Sequence, residues 1–423
     1  MSNAETDNPG MTAAPAITIV LATHNRREVV LNTLNRLADG ELPRDQYEII
    51  AVDNASTDGT ADAIQTRVDR LIRLRLNRGS CAKAYGVDAA HGRFIVFLDD
   101  DSFPQPGTLS RMLEHFHDDT KLGATGFRVH LPNGQEEGAA LPDVFVGCGV
   151  GFRAAALREV GGLDRTFFMQ AEEYDLSFRL GAAGWKVRVF DDLHVTHLKT
   201  AHARRAERIT TFDTRNNLRV IARYLPAPLH TIYRDDCVQR YDWLAEAHGH
   251  QTAFASGVRS GRRRAWLERP RYHRWRLTPE IFERFFRWNE IEQKMRALAT
   301  NGVRRILLVD LGKNIFPFVR AAELAGLQVT AIADDFFASP NRCYRGTRVT
   351  TLESALTTTF DAIVISNTAP IHAVRRRVAL SPMTSAPIHS WFERPAPTPR
   401  TASGFALSPP SAASDDIRVA VEI

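Results

Sequence analysis

Cysteine is scarce and scattered: Cys81, Cys148, Cys237 and Cys343 in 423 residues show neither pairing nor metal-ligand spacing. That excludes a disulfide framework and a zinc site and reads as reduced thiols in a cytoplasmic protein. No run approaches the roughly 18 apolar residues of a membrane span. The first ten residues are polar and lack a signal-peptide core, so export is not expected. Strong charge is missing too, since 54 Lys+Arg against 49 Asp+Glu leave only +5. Such a bias suits an anionic ligand or a membrane surface without requiring either. No nucleic-acid-binding motif accompanies it, so nucleic acid is not an expected partner.

What is present is a set of apolar strands that end in polar clusters. Residues 94–98 (FIVFL) run directly into Asp99, Asp100 and Asp101. An apolar run of that length reads as a strand buried on both faces of a parallel sheet. Three adjacent anions repel one another unless a cation or a donor-rich ligand lies among them. Residues 17–22 likewise run into Thr23, His24, Asn25 and Arg26, and residues 47–52 into Asp53, Asn54, Ala55 and Ser56. Between them Val30, Leu34 and Leu37 share one helical face, which completes a βαβ unit. A helix over 60–68 and a short strand over 71–74 follow, before Asn77, Arg78 and Gly79. The polar strand ends converge on one sheet edge, where ligands of open α/β sheets bind.

The chain divides by pattern into a flexible stretch (1–15), a catalytic α/β domain (16–226), an Arg- and aromatic-rich helical extension (227–300), a small Rossmann-like α/β domain (301–393) and a mostly disordered tail (394–423). In the extension, Ile281, Phe282, Phe285, Phe286, Ile291 and Met295 predict one helix over 279–299. Arg204, Arg205, residues 261–264 and residues 269–276 concentrate positive charge, interleaved with Trp266, Tyr272 and Trp275. This is a solvated basic face or a helical segment lying against anionic lipid headgroups. In the last domain, strands over 305–309, 327–333 and 360–366 alternate with helices over 316–325 and 371–378. The loop after its first strand has one glycine, Gly312, where dinucleotide binding wants G-x-G-x-x-G.

Taken together, Thr23-His24-Asn25-Arg26, the segment 52–60 (VDNASTDGT), Asn77-Arg78-Gly79, the Asp99-Asp100-Asp101 triplet and residues 172–179 (EEYDLSFR) resemble family 2 glycosyltransferases of the GT-A fold. The resemblance covers 16–226. It implies an inverting, metal-dependent transfer of a sugar from a nucleotide-diphosphate sugar to an acceptor hydroxyl of a glycan, lipid-linked glycan or metabolite. Residues 253–257 resemble rhamnosyltransferase-like members, so dTDP-rhamnose or a UDP-hexose heads the donors. The resemblance assigns Asp101 to a Mn²⁺ or Mg²⁺ ion, with Asp99 and Asp100 shared between nucleotide and metal shell. His197, after a strand over 186–190 and a loop over 191–197, is the implied imidazole ligand, and an imidazole favours Mn²⁺.

Asp53 resembles the carboxylate that reads the base, or else caps a turn. Thr23, Asn25, Arg26, Asn54, Ser56, Asn77, Gly79 and Lys83 would line the nucleotide-sugar pocket. Lys83 stands where the family frequently has Arg, and Ala84 where many members have Asn. Glu172 and Glu173 open a helix, where the dipole favours acids as caps. Inverting transfer also needs a general base, and the family pattern points to Glu173. Gly149, Gly151 and Asp175 fall on the implied acceptor side, although Asp175 and Arg179, four apart, also suit a helix ion pair. Asn216, Asn217 and Arg219 resemble a basic helix that follows the domain in relatives, unless they only pack. A catalytically silent sugar-nucleotide sensor and a nucleotidyltransferase are the rivals. The latter lacks its glycine-rich loop here. The last domain could tether, recruit acceptor or join copies into a homo-oligomer, and peripheral contact with the inner membrane face suits the basic segment.

Overall fold

In the computed structural model, residues 15–40, 42–200 and 206–394 are described. The expectations for residues 1–14, Arg204, Arg205 and the tail beyond residue 394 lie outside them. Two sheets organise the chain. The first contains β1 (Ile17–Thr23), β2 (Tyr47–Asp53), β3 (Arg70–Arg73), β4 (Phe94–Asp99), β5 (Ser102–Pro104), β6 (Leu122–His130), β7 (Glu136–Glu137), β8 (Gly149–Arg153) and β9 (Lys186–His197). Their order is β3-β2-β1-β4-β8-β6-β9-β5, with β7 on β6.

The four leading strands are parallel and their ends are in register, with Thr23 opposite Asp53 and Ala22 opposite Asp99. That register gathers the three polar strand ends into one row. The strand bodies hold them there, because residues 19–21, 49–52 and 94–98 are buried. Each large aliphatic or aromatic side chain removed from water contributes about 1.5–3 kcal/mol. The antiparallel β8 then inserts beside β4 and turns the parallel half into a mixed sheet.

The second sheet follows the helices. It contains β10 (Arg305–Val309), β11 (Gln328–Ala333), β12 (Cys343–Tyr344), β13 (Thr347–Thr350), β14 (Ala362–Ile365) and β15 (Ile388–His389). Its order is β12-β13-β11-β10-β14-β15, parallel except for the β12 hairpin. The order 3-2-1-4-5 of its parallel strands is that of a doubly wound unit.

Two local expectations differ from the structure, and the acidic triplet has a shape of its own. The stretch 191–197 is not a loop: β9 continues through it because β5 pairs with its end, Ser102 opposite His197. The helix expected over 279–299 is two helices, Pro279–Phe286 and Trp288–Thr300, meeting at Arg287 with φ 57°. There the Glu283 carboxylate accepts the Asn289 N–H at 2.9 Å and starts the second helix. The Asp triplet is not extended, since β4 ends at Asp99 and the chain turns over Asp100 and Asp101. The three carboxylates therefore fan out toward different partners.

The helix Ala206–Tyr224 packs along Gln251–Glu268, which approaches through Gly257 and Gly261. A methyl group on Gly257 would lie 2.8 Å from the Thr211 carbonyl oxygen, so only glycine permits this contact. Among the described residues no helix is long and apolar enough to cross a membrane.

Candidate active site

The pairing of Ser102 with His197 places Asp101 and His197 side by side at the sheet edge. The Asp101 Oδ1 and the His197 Nε2 lie 3.2 Å apart as an ion pair, both are buried, and neither has a partner beyond the other. Asp101 Oδ2 is fully engaged, accepting from Arg26 Nη2 at 2.8 Å and from the Thr200 hydroxyl and N–H at 2.6 and 3.0 Å. On the other side of the imidazole, Nδ1 lies 2.6 Å from Glu137 Oε2. Lys199 holds the second Glu137 oxygen at 2.7 Å. Desolvation alone would raise the Glu137 carboxyl, but His197 and Lys199 hold it down at about 2. Desolvation would lower the imidazole, yet Cys148, Asp101 and Glu137 together raise it well above its ordinary value.

Asp99 and Asp100 serve other partners. Buried Lys83 donates to Asp99 Oδ1 at 2.5 Å and to the Gly147 carbonyl at 2.9 Å. Against the effect of desolvation, Lys83 and His197 keep the Asp99 carboxyl below its usual range. Asp100 accepts from Thr23 Oγ1 at 2.8 Å and from Arg26 Nη1 at 2.5 Å. Burial nevertheless pushes Asp100 up to about 7. One guanidinium, that of Arg26, thus lies between two of the three acids.

The residues present fit a divalent cation. Adjacent corners of an octahedron with oxygen or nitrogen ligands at about 2.1 Å are roughly 3 Å apart, close to the separation of Asp101 Oδ1 and His197 Nε2. Asp99, Cys148 and His197 also bring one ligand atom each within 4.8 Å of one another. The Cys148 sulfur lies 3.6 Å from His197 Nδ1 while Nε2 faces Asp101, so the donor pair at Asp101 is carboxylate and imidazole.

The cleft above is lined by Lys83, Asp99, Gly147, Glu172, Glu173 and His197. Glu172 and Glu173 open the helix Glu172–Ala182 but face different surroundings. Glu172 accepts from the Ser80 hydroxyl through Oε1 and keeps a buried, unpartnered Oε2. The Glu173 side chain bonds no other described residue and has its Oε1 near Gly147, where an added methyl would lie 3.3 Å away. Burial and the neighbouring Glu172 charge push Glu173 up to about 8. Phe168, Gln170 and Ala171, just before this helix, all have positive φ, a conformation that costs about 1–3 kcal/mol at a non-glycine residue. Asn216 holds that segment, its Nδ2 donating to the carbonyls of Phe167, Met169 and Gln170 at 3.1, 2.7 and 2.9 Å.

The nucleotide-side residues form a second group along the same edge. Asp53 accepts the Ser56 N–H through Oδ2 at 3.2 Å, while its buried Oδ1 has no partner. Asn25 accepts from the Thr57 N–H at 2.7 Å and donates its own N–H to Ser56. Asn54 and Asn77 shape the turn at Gly79: Asn54 Nδ2 donates to the Gly79 carbonyl, and Asn77 Oδ1 accepts the Gly79 N–H.

The acceptor-side residues are placed differently from expectation. Gly149 and Gly151 lie inside β8, where a methyl group would meet Val195 at 2.5 Å and Met112 at 2.2 Å, so their role is close packing. Asp175 is buried away from the cleft, bonded to Arg179, Arg223 and Tyr224. Gly147 faces the cleft instead. Glu137, Lys199 and Thr200 escaped the sequence reading. Their only signal there was proximity to His197 or to the turn at Gly134, since long-range pairing brings them in.

Residues 18–141 match the family model described as Glycosyl transferase family 2, and residues 130–245 match Glycosyl transferase family group 2. TuaG of Bacillus subtilis (strain 168), named for teichuronic acid biosynthesis, is 27% identical over 32% of this chain and 60% of its own. The succinoglycan biosynthesis protein ExoO of Rhizobium meliloti is 33% identical over 30% and 35%. The chain thus spans 60% of one relative and about a third of the other. A mannosyltransferase from Pyrobaculum calidifontis, solved with GDP-Man and Mn²⁺, superposes with a TM-score of 0.43 at 22% identity, over 58% of this chain and 74% of that one. TarS 1–349 of S. aureus with UDP gives 0.41 at 16%, over 61% and 86%. Likeness at that level carries no further inference.

Proposed function

We propose, for a chain whose residues 18–141 belong to the family 2 glycosyltransferases, an inverting, metal-dependent transfer of a sugar from a nucleotide diphosphate to an acceptor hydroxyl, in polysaccharide or glycoconjugate biosynthesis. The observation that carries this reading is the pair of buried atoms, Asp101 Oδ1 and His197 Nε2, which have no partner but each other, beside a cleft that holds Glu173 unbonded to any other described residue. Asp101 and His197 would hold Mn²⁺ or Mg²⁺, which as a Lewis acid supplies stabilisation of the departing diphosphate. Glu137 and His197 act as a pair: the carboxylate accepts a hydrogen bond from Nδ1–H and so fixes the tautomer in which Nε2 would offer its lone pair to the ion. Arg26 and Lys83 bring positive charge to the edge where the phosphates would lie.

Glu173 receives the proton of the acceptor hydroxyl. Its carboxyl titrates near neutrality because it is buried next to Glu172, which is where a general base works best. Glu172 orients the loop through Ser80. Asp53 offers a free oxygen to a ring N–H, as uracil and thymine present, in keeping with dTDP-rhamnose or a UDP-hexose as donor. Melting curves with Mn²⁺ and UDP, dTDP or CDP test the donor side, since a bound ligand stabilises by mass action: UDP or dTDP should stabilise and CDP, whose ring nitrogen carries no hydrogen, should not. Donor hydrolysis tests the chemistry. Glu173→Gln should lose about 10²–10⁴-fold in turnover while still binding nucleotide, and unchanged turnover refutes the base assignment.

The basic segment supports peripheral contact with an anionic membrane. Trp266 and Leu267 are 77% and 43% exposed, and Arg259, Arg262, Arg263, Arg271 and Arg274 are exposed around them. Glu268 is turned inward to Arg219 and Arg223, which leaves the outer face without its one nearby acid. Cosedimentation with phosphatidylglycerol vesicles but not phosphatidylcholine vesicles, lost in Arg262→Glu/Arg263→Glu, is the expected result.

A further inference from the structure

At the carboxyl edge of the second sheet, the ends of β10, β11 and β14 open into a crevice whose opposite wall is formed by Gln135, Gly138 and Ala140. Four cationic side chains line it, Arg240, Lys313, Arg375 and Arg376, together with Asp310 and Asp334. Through Arg240, Lys313 and Ala140 it continues into an apolar chamber between Tyr233, Tyr241, Phe286 and Tyr344.

Both carboxylates are already engaged. Asp310 accepts from Arg376 Nε at 2.5 Å and from Asn367 Nδ2 at 3.2 Å. Asp334 takes the backbone N–H of Leu311 at 2.8 Å and those of Phe336 and Phe337 at 3.1 Å. Arg240 and Lys313, by contrast, have no carboxylate within 4.0 Å among the described residues. Arg240 donates from Nη1 to the Leu311 carbonyl and stacks 4.7 Å from the Phe337 ring centre, while its buried Nε has no acceptor. Lys313 lies 5.6 Å from the Tyr241 ring centre.

A buried N–H without an acceptor costs free energy that a ligand oxygen would restore. Two cations that touch no carboxylate, one with an unused buried N–H, suit an anion with several oxygens rather than a single carboxylate. The carboxyl ends of parallel strands are where such ligands sit in doubly wound sheets. The chamber next to the cations then accommodates what the anion is attached to. We propose that this crevice binds a diphosphate carried on an aromatic or apolar body, with the diphosphate at Arg240 and Lys313 and the body in the Tyr233 and Tyr241 chamber. The site is distinct from the cleft at Asp101, from which residues 135–140 separate it. Glu137 in that segment bonds His197, so occupation of the crevice bears on the wall of the active site.

Titration calorimetry on the full chain in EDTA tests this independently of metal-dependent binding at Asp101. The ligands are inorganic pyrophosphate, ADP and geranyl diphosphate. One molecule per chain of ADP or geranyl diphosphate should bind at least about tenfold more tightly than pyrophosphate, a difference near 1.4 kcal/mol. The tighter of the two tells a nucleotide from a lipid-borne source. Lys313→Glu, at a half-buried position, should keep its melting temperature and weaken binding by a similar factor, while Asp101→Asn should bind as wild type does. No saturable binding of any of the three, binding indifferent to Lys313→Glu, or a pyrophosphate affinity equal to both others overturns the proposal.

Discussion

Two clusters of charge lie within the first domain and its helical extension, and they differ in one respect. Around Asp175, the side chains of Asp164, Arg179, Arg219, Arg223, Tyr224 and Glu268 bond one another, and no buried polar atom among them lacks a partner. Around Asp101, the charges are as dense, but Arg26 Nε and Glu172 Oε2 are buried without partners, and Asp101 Oδ1 and His197 Nε2 have only each other. A closed network fixes one arrangement of the helices Glu172–Ala182, Ala206–Tyr224 and Gln251–Glu268. An open one leaves valences that only a ligand completes. Composition alone would not tell the two apart, because the distinction is a matter of which lone pairs are used.

Breaking the closed network should give the largest effect. Arg223 bonds Asp164, Asp175 and Glu268 at 2.8, 2.5 and 2.8 Å. Arg223→Met strands these buried acids, a change that costs about 3–5 kcal/mol. Urea unfolding should show the loss, and an unchanged midpoint would remove the contrast between the clusters.

The same kind of change in the open cluster should move function instead. Asp101→Asn removes one side of the proposed cation pair and should lower turnover by roughly 100-fold or more, as the loss of an electrostatic group at a reacting phosphate does. Its melting temperature in EDTA should fall less than that of Arg223→Met, because asparagine keeps an acceptor oxygen for Arg26 and Thr200. A large loss of stability with full activity would reverse the roles assigned to the two clusters.

The strand ends at Thr23, Asp53 and Asp99 were legible in the sequence because each follows a buried apolar run, and periodicity reports that directly. The acidic triplet marked the site for the same reason. Asp175 was misplaced because an acid one turn from Glu172 looks the same whether it faces a cleft or an interior arginine, and Arg223 is 48 residues away. Glu137 was invisible because it reaches His197 through the pairing of β6 with β7 and β9. Gly149 and Gly151 carried a real signal, but the close approach they permit is to Val195 and Met112 rather than to a sugar.

The open cluster should also make itself felt in the pH dependence of stability. Glu173 has a carboxyl raised from an ordinary 4.5 to about 8, by burial first and the Glu172 charge second. The folded chain therefore holds a proton that the unfolded chain releases, and stability falls as pH rises from about 4.5 through about 8. Glu173→Gln does not titrate, so its melting temperature should exceed that of wild type by a margin that grows across this window and reaches a few degrees at its upper end. A margin that is constant with pH would place Glu173 in ordinary solvent.

The smallest effect is expected at Asp53, where a single unpartnered oxygen is at stake. The carboxylate already holds the Ser56 N–H through Oδ2, so the turn keeps most of its support when only the free Oδ1 changes character. Asp53→Asn keeps an acceptor for Ser56 and can turn its amide N–H₂ toward the position of Oδ1. An acceptor for a ring N–H then becomes a donor facing a donor. Losing one such hydrogen bond costs about 1–1.5 kcal/mol, so the Kd of UDP in Mn²⁺ should rise about tenfold. Turnover at saturating donor should change little, because the contact is remote from the reacting carbon and is made equally in the ground and transition states. Equal affinity of wild type and Asp53→Asn for UDP would show that Oδ1 faces no base, and Asp53 would then belong with the closed cluster as a turn-forming residue.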